Sequence, residues 1–112
     1  MIKNKIVLVP FPFDDLSDIK VRPAICLTQS LGPFNHVIIA FISSKIPDVL
    51  LPSDLVIRKG EEEFETTGLS IDSVIRLHKM VTIPKHLIKR ELGFIGSVLN
   101  EKVKSRIFEL FQ

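Results

Sequence analysis

Ile6-Val7-Leu8-Val9-Pro10-Phe11-Pro12-Phe13-Asp14-Asp15, followed after a short polar stretch by Lys20-Val21-Arg22-Pro23-Ala24-Ile25-Cys26-Leu27-Thr28, reads as two apolar strands joined by an exposed connection. Residues 6–11 are apolar without alternation. That fits a strand buried on both faces which leaves its sheet at Pro10, since proline brings no N–H to a ladder. Residues 14–18 set Asp and Ser at turn-prone positions and predict a loop. Residues 23–28 give the second strand, with Arg22-Pro23-Ala24 at its entry. A guanidinium is thereby held at the mouth of a loop by the backbone of the strand that follows. Its rigid five-donor fork can bind two oxygens of a phosphate or carboxylate at once. On the triplet alone, a surface arginine that solubilises a strand end is the commoner explanation.

Outward from this pair the strand period continues. Ser30-Leu31-Gly32-Pro33 supplies a turn, and residues 36–42, rich in β-branched side chains, form a third strand. Ser43-Ser44-Lys45 takes over where the apolar run stops. Pro47 and Pro52 bracket an irregular connection, residues 55–57 form a short strand ending near Gly60, and residues 61–65 read as a turn of helix or a loop. Residues 73–83 predict a longer strand. Alternation puts Val74, Arg76, His78 and Met80 on one face and Ile75, Leu77, Lys79 and Val81 on the other. Residues 92–95 give another short strand before Gly96. The period then changes: Asn100 is the predicted N-cap of a terminal helix whose stripe is Val103, Ile107, Leu110 and Phe111. Several short strands closed by one helix predict a mainly β fold with a C-terminal helix, built as a small, strongly bent barrel.

A chain of 112 residues makes one domain, spanning 1–112. Its longest apolar runs, 6–9 and 37–42, are too short to span a bilayer. Pro10 and Pro12 break the N-terminal apolar stretch and no small-residue cleavage site follows, so no signal peptide is expected. Cys26 is the single cysteine, inside an apolar strand, which suits a small core residue in a reducing, cytoplasmic compartment. The net charge of +2 says little by itself. Setting aside Glu61, Glu62, Glu63 and Glu65 raises the remainder to +6, enough to tolerate a polyanion on another face. A solvated charge run is the commoner explanation of that cluster.

In order along the chain, five features resemble the MazF/PemK family of toxin endoribonucleases from toxin–antitoxin pairs. They are the 6–12 strand with its Phe-Pro-Phe ending, Arg22-Pro23-Ala24, Ile42-Ser43-Ser44, Gly68-Leu69 with Asp72-Ser73-Val74-Ile75, and Lys79-Met80-Val81-Thr82-Ile83 before the Gly96 region and helix. No one motif is specific; the ordered set, covering nearly the whole chain, is. The resemblance implies an SH3-like barrel (the MazF/CcdB-like toxin fold), a two-fold homodimer, a cognate antitoxin protein as partner, and cleavage of single-stranded RNA without a metal. It makes Arg22 the catalytic arginine. It places Ser43 where the family usually has a catalytic threonine after an isoleucine, a swap that keeps the hydroxyl and frees its rotamer. Asn4-Lys5 replace a common Gly-Asp pair, and residues 14–19 replace a glycine-containing loop. His78 and Lys79 stand where members often carry an acidic residue or an amide followed by glutamine. These departures bear on RNA sequence preference and on the antitoxin.

The chemistry can be read without the family. RNA brings its own nucleophile, the 2′-hydroxyl, so its cleavage needs positive charge on the phosphoryl oxygens, one proton acceptor and one donor. Arg22 can supply the charge. The Ser43 hydroxyl can hydrogen-bond the phosphate but is a poor base. The sequence assigns neither acid nor base, beyond a proton-donor role open to Arg22. Lys20, Ser44 and Lys45 flank these two positions and, with Phe13 and His78, complete the candidate RNA-binding set. There is no Trp or Tyr to stack on bases, only eight Phe. Phe13 and Phe34 lie in loops or at strand ends and are the candidate platforms, although packing over the barrel mouth is as common a role. Phe41, Phe94, Phe108 and Phe111 fit core positions. His78 is the best placed of three histidines for acid–base work, although a partly exposed strand histidine is the commoner case. No two histidines share metal-ligand spacing, and Asp14, Asp15 and Asp18 lack the glycine and terminal glutamate of a calcium loop, so neither metal nor other cofactor is expected. Two alternatives stay open. One is a CcdB-like toxin that binds gyrase without catalysis, although that activity uses a terminal Trp and this chain ends Leu110-Phe111-Gln112. The other is a degenerate member that binds RNA or antitoxin without cutting.

Overall fold

The computed structural model describes residues 1–11 and 20–112. Among them, six strands form one curled antiparallel sheet followed by a single α-helix. The strands are β1 (Lys5–Phe11), β2 (Lys20–Cys26), β3 (His36–Ser43), β4 (Asp54–Ile57), β5 (Ser73–Pro84) and β6 (Arg90–Phe94), in the spatial order β4-β5-β3-β2-β1-β6. A 3-10 turn at Glu65–Thr67 precedes β5, a second at Lys85–Leu87 joins β5 to β6, and helix α1 covers Ser97–Leu110. The predicted loop at 14–18, with Pro12 and Phe13, lies outside the described residues. No described helix is long and apolar enough to cross a membrane.

The central strands are apolar throughout because the sheet has a core on each face. Ile6, Ile25, Ala40 and Ile42 enter one cluster, with Phe64, Leu77, Leu99 and Val103. Their sequence neighbours Val7, Ala24, Cys26, Ile39 and Phe41 enter the other. That is the period-two alternation of a strand, hidden in the sequence because both sides are filled. Helix α1 covers the first cluster through buried Leu99 and Val103, with Ile107 packed at its margin. Cys26 is fully buried, and burial, with the charge of Glu91 adding to it, pushes the thiol up to about 11. It stays protonated and packs as a small apolar group.

Several element boundaries differ from the sequence reading, each for a physical reason. β1 does not leave the sheet at Pro10: that residue pairs with Val21, and the ladder runs on to Phe11 opposite Lys20. Pairing of β1 with β6 has already stopped at Leu8 opposite Arg90, so among the described residues Pro10 has a partner strand on one side only, where a missing N–H interrupts little. The same continued ladder starts β2 at Lys20 rather than at residue 23.

Helix α1 begins at Ser97 with Gly96 in the cap position, not at Asn100, whose N–H already bonds the Gly96 carbonyl. Its orphan N–H groups are met from a distance. The Glu63 carboxylate accepts from the Val98 N–H at 3.0 Å and the Leu99 N–H at 2.8 Å. Phe94, Phe108 and Phe111 are not core residues, being 49%, 68% and 75% exposed; Phe64, at 2%, is. Phe108 lies about 100° round the helix from the neighbouring Ile107 and so falls off the buried stripe. Phe34 is exposed and stacks on His36, ring centroids 5.9 Å apart.

Candidate active site

The strands carrying the two predicted catalytic residues part company next to them. β2 pairs with β3 through Cys26 opposite Ile39, Ile25 opposite Ala40 and Ala24 opposite Phe41, and there the ladder ends. The next residue of β2 is Pro23, which has no N–H to give. Continued by two residues, the same register would set Arg22 opposite Ser43. Instead the strands separate, and a cavity of about 430 Å³ opens between them. Arg22, Pro23, Phe41, Ile42, Ser43, Ser44 and Lys45 line one part of it. Arg22 is exposed and lies opposite Val9 on β1, whose buried side chain anchors that level of the sheet.

Ser43 ends β3 half-buried. Its Oγ accepts the Lys45 N–H at 3.0 Å, a hydroxyl turn that brings Ser44 and Lys45 round to the cavity. This bond also fixes the hydroxyl that the missing threonine methyl would otherwise restrict. The opposite wall, Leu69, Ser70, Ile71 and Ser73, comes from the segment after Gly68, which takes a left-handed φ of 75°. Hydrogen bonds brace that wall: Ser73 Oγ donates to the Ile71 carbonyl at 2.9 Å, the Leu69 N–H to Thr67 Oγ1 at 3.2 Å, and the Asp72 carboxylate accepts the Lys59 N–H at 2.8 Å.

β5 supplies the back of the cavity, and here strict alternation fails. β3 and β5 pair Phe41 with Arg76 and then Ala40 with Met80, leaving residues 77–79 without counterparts. A bulge re-aims the side chains it carries. Arg76 and Lys79, predicted on opposite faces, therefore both line the cavity. Arg76 Nε donates to Asp54 Oδ1 at 2.8 Å, and Asp54, its side chain wholly buried, takes the Leu51 N–H on Oδ2 at 2.8 Å. Among the described residues, the cavity lining thus holds four cationic side chains and no carboxylate.

Of the remaining predicted site residues, Lys20 is exposed at the start of β2, on the same strand face as Arg22, but does not line the cavity. His78 also lies outside the lining, its Nδ1 4.0 Å from Asp54 Oδ1. Burial, then Arg76, hold its imidazole below the ordinary histidine value, against an upward pull from Asp54; Lys79 adds to the downward push. Phe13 lies outside the described residues. Among those described, no three His, Cys, Asp or Glu side chains gather as a metal site would require.

Residues 3–111 match the family of PemK-like, MazF-like toxins of type II toxin–antitoxin systems. The chain belongs to this family. Among solved structures, Mycobacterium tuberculosis toxin MazF-mt6 superposes with a TM-score of 0.73 at 19% identity, covering 96% of this chain and 95% of its own. An endoribonuclease in complex with its cognate antitoxin from Mycobacterial species gives a TM-score of 0.72 at 8% identity, covering 99% and 94%. At such identities the likeness is one of fold. No curated protein matches the sequence.

Sequence reasoning gave Arg76 no role and overlooked the wall at 69–73. A signal for the first was present. Arg76 interrupts Val74-Ile75-Arg76-Leu77, and a charge inside an apolar strand requires a partner, which is Asp54. The wall carried no such mark, because its serines reach the cavity only through the turn at Gly68.

Proposed function

We propose that this PemK/MazF-like toxin is an endoribonuclease that cuts single-stranded RNA, mRNA included, with sequence selectivity and without a metal. The observation that carries the proposal is the divergence of β2 and β3, beside which Arg22 and Ser43 both line one cationic cavity. The scissile phosphate sits between them. The 2′-hydroxyl loses its proton to solvent as its oxygen bonds to phosphorus, and the bond to the 5′-oxygen breaks as that oxygen takes up a proton, giving a 2′,3′-cyclic phosphate and a 5′-hydroxyl end. Arg22 holds two phosphoryl oxygens and stabilises the charge that builds on them. Ser43, whose oxygen accepts the Lys45 N–H at 3.0 Å, directs its proton to the Lys45 carbonyl only at a long 3.5 Å and turns it to a phosphoryl oxygen when RNA is bound. Lys45 and Ser44 guide the strand into the cavity, and Lys20 and His78 lie beside its path. The acting unit is a homodimer of the 1–112 domain in the cytoplasm. A cognate antitoxin silences it, as the antitoxin-bound neighbour suggests for a chain of this fold.

Purified, antitoxin-free protein mixed with a long single-stranded RNA in EDTA tests this. Wild type is expected to cut and leave 5′-hydroxyl ends. Arg22→Ala, a substitution at an exposed position whose folding is checked by circular dichroism, is expected to cut roughly a hundred- to a thousandfold more slowly. Wild type that leaves the RNA whole, or Arg22→Ala that cuts as fast, overturns the assignment.

A further inference from the structure

The bulge in β5 does more than close the cavity. It brings a lysine and an arginine three positions apart to one surface, at a different level from Arg22. Arg22 falls level with Ser43 when the β2–β3 register is extended past its last pair, whereas Arg76 pairs with Phe41, two residues back along β3. That separation is about 7 Å along the strand, on the order of one step of an extended nucleic-acid backbone. Arg76 binds Asp54 through Nε and not through its terminal nitrogens, and both it and Lys79 line the cavity. Asp54 balances the charge of Arg76. Lys79 is exposed, and among the described residues that line the cavity no carboxylate balances its charge. A lysine ammonium has only donors and acts as a compact point charge, which suits a phosphate oxygen.

Building on the ribonuclease reading, we propose that Lys79, seated beside the anchored Arg76, forms a second anion subsite. It holds the phosphate adjoining the one cut at Arg22 and Ser43. The cavity then grips two consecutive phosphates, and Lys79 contributes affinity and placement of the strand without reading its bases. A contact of this kind is electrostatic, so it weakens with salt in proportion to the phosphates neutralised.

The test is the salt dependence of binding to a short labelled RNA carrying 2′-O-methyl groups, which cannot be cut by 2′-hydroxyl attack. Removing one phosphate contact lowers the slope of log affinity against log salt by about 0.7 for a single strand. Lys79→Gln is expected to show that loss, with wild type and variant converging at high salt. Lys79→Arg is expected to keep the wild-type slope. On cuttable RNA, Lys79→Gln should raise KM more than it lowers kcat and leave the set of cut sites as in wild type. An unchanged slope, a shifted set of cut sites, or an arginine variant that behaves like the glutamine one overturns the inference. Wild type that binds the RNA while Lys79→Gln keeps its slope refutes the second subsite alone. Wild type that does not bind the RNA at low salt refutes the ribonuclease reading as well.

Discussion

Asp54 has both oxygens engaged, Oδ1 by Arg76 Nε and Oδ2 by the Leu51 N–H, and its side chain is wholly buried. His78 Nδ1 stands 4.0 Å from the first of these oxygens, beyond hydrogen-bond reach. Arg76 holds the carboxylate, and the imidazole, disfavoured as a cation first by desolvation, also lies near two cations, Arg76 and Lys79, against the opposing pull of Asp54. The folded protein therefore binds a proton at His78 less readily than the unfolded chain does. As pH falls through the ordinary histidine value of 6.5, the unfolded state takes up the proton first and folding stability declines. Above that value the full stability is present. Thermal unfolding followed from about pH 8 down to about pH 5 should show a steeper acid loss in wild type than in His78→Gln. Parallel curves for the two proteins would remove His78 from the acid response.

Helix α1 shows what a local reading can and cannot find. Its buried stripe was legible in the spacing of Val103 and Ile107, and the strand runs were legible as apolar segments bounded by proline, glycine and serine. Its start was not, because the group that caps it lies at Glu63, in a cluster that reads as solvated charge. The bulge in β5 was hidden for a similar reason. It is set by how β3 and β5 pair, and nothing in residues 73–83 alone breaks the alternation. By contrast, Arg22 and Ser43 were singled out by the family resemblance, at points where an apolar strand meets a polar turn, and both line the same cavity. The remote cap carries its own prediction. Glu63→Ala removes both acceptors at the helix N-terminus while keeping a side chain at a φ of 74°, so it should lose about 1–2 kcal/mol, as a lost N-cap does. Its unfolding midpoint in urea should fall with the slope m unchanged. Equal midpoints would mean that solvent caps α1 as well as Glu63 does.

The sheet must curl for one face to enclose a core and for β2 and β3 to separate at the cavity. The curl brings the Glu65–Thr67 turn onto β6, and that contact depends on two glycines. A Cβ on Gly93 would collide with the backbone carbonyls of Thr66 and Thr67, and one on Gly68 with the carbonyl of Leu92. Both obstacles are backbone, so no rotamer change relieves them. The two positions differ in one useful respect. Gly68 also needs its left-handed φ, whereas Gly93 is not among the residues with positive φ. Gly93→Ala therefore adds only a steric wedge to the seam, without backbone strain at the substituted residue. Forcing the turn from β6 should cost about 1–3 kcal/mol, the usual range for overpacking. Because the same turn leads through Gly68 into the cavity wall at Leu69–Ile71, the wedge should also slow RNA cleavage more than the stability loss alone accounts for. The measurement pairs thermal unfolding of Gly93→Ala with its cleavage rate at a temperature where wild type and variant are both folded. A lower melting temperature with an unchanged rate would limit the seam to stability. An unchanged melting temperature would show that the turn yields freely, and that the cavity wall does not rest on β6.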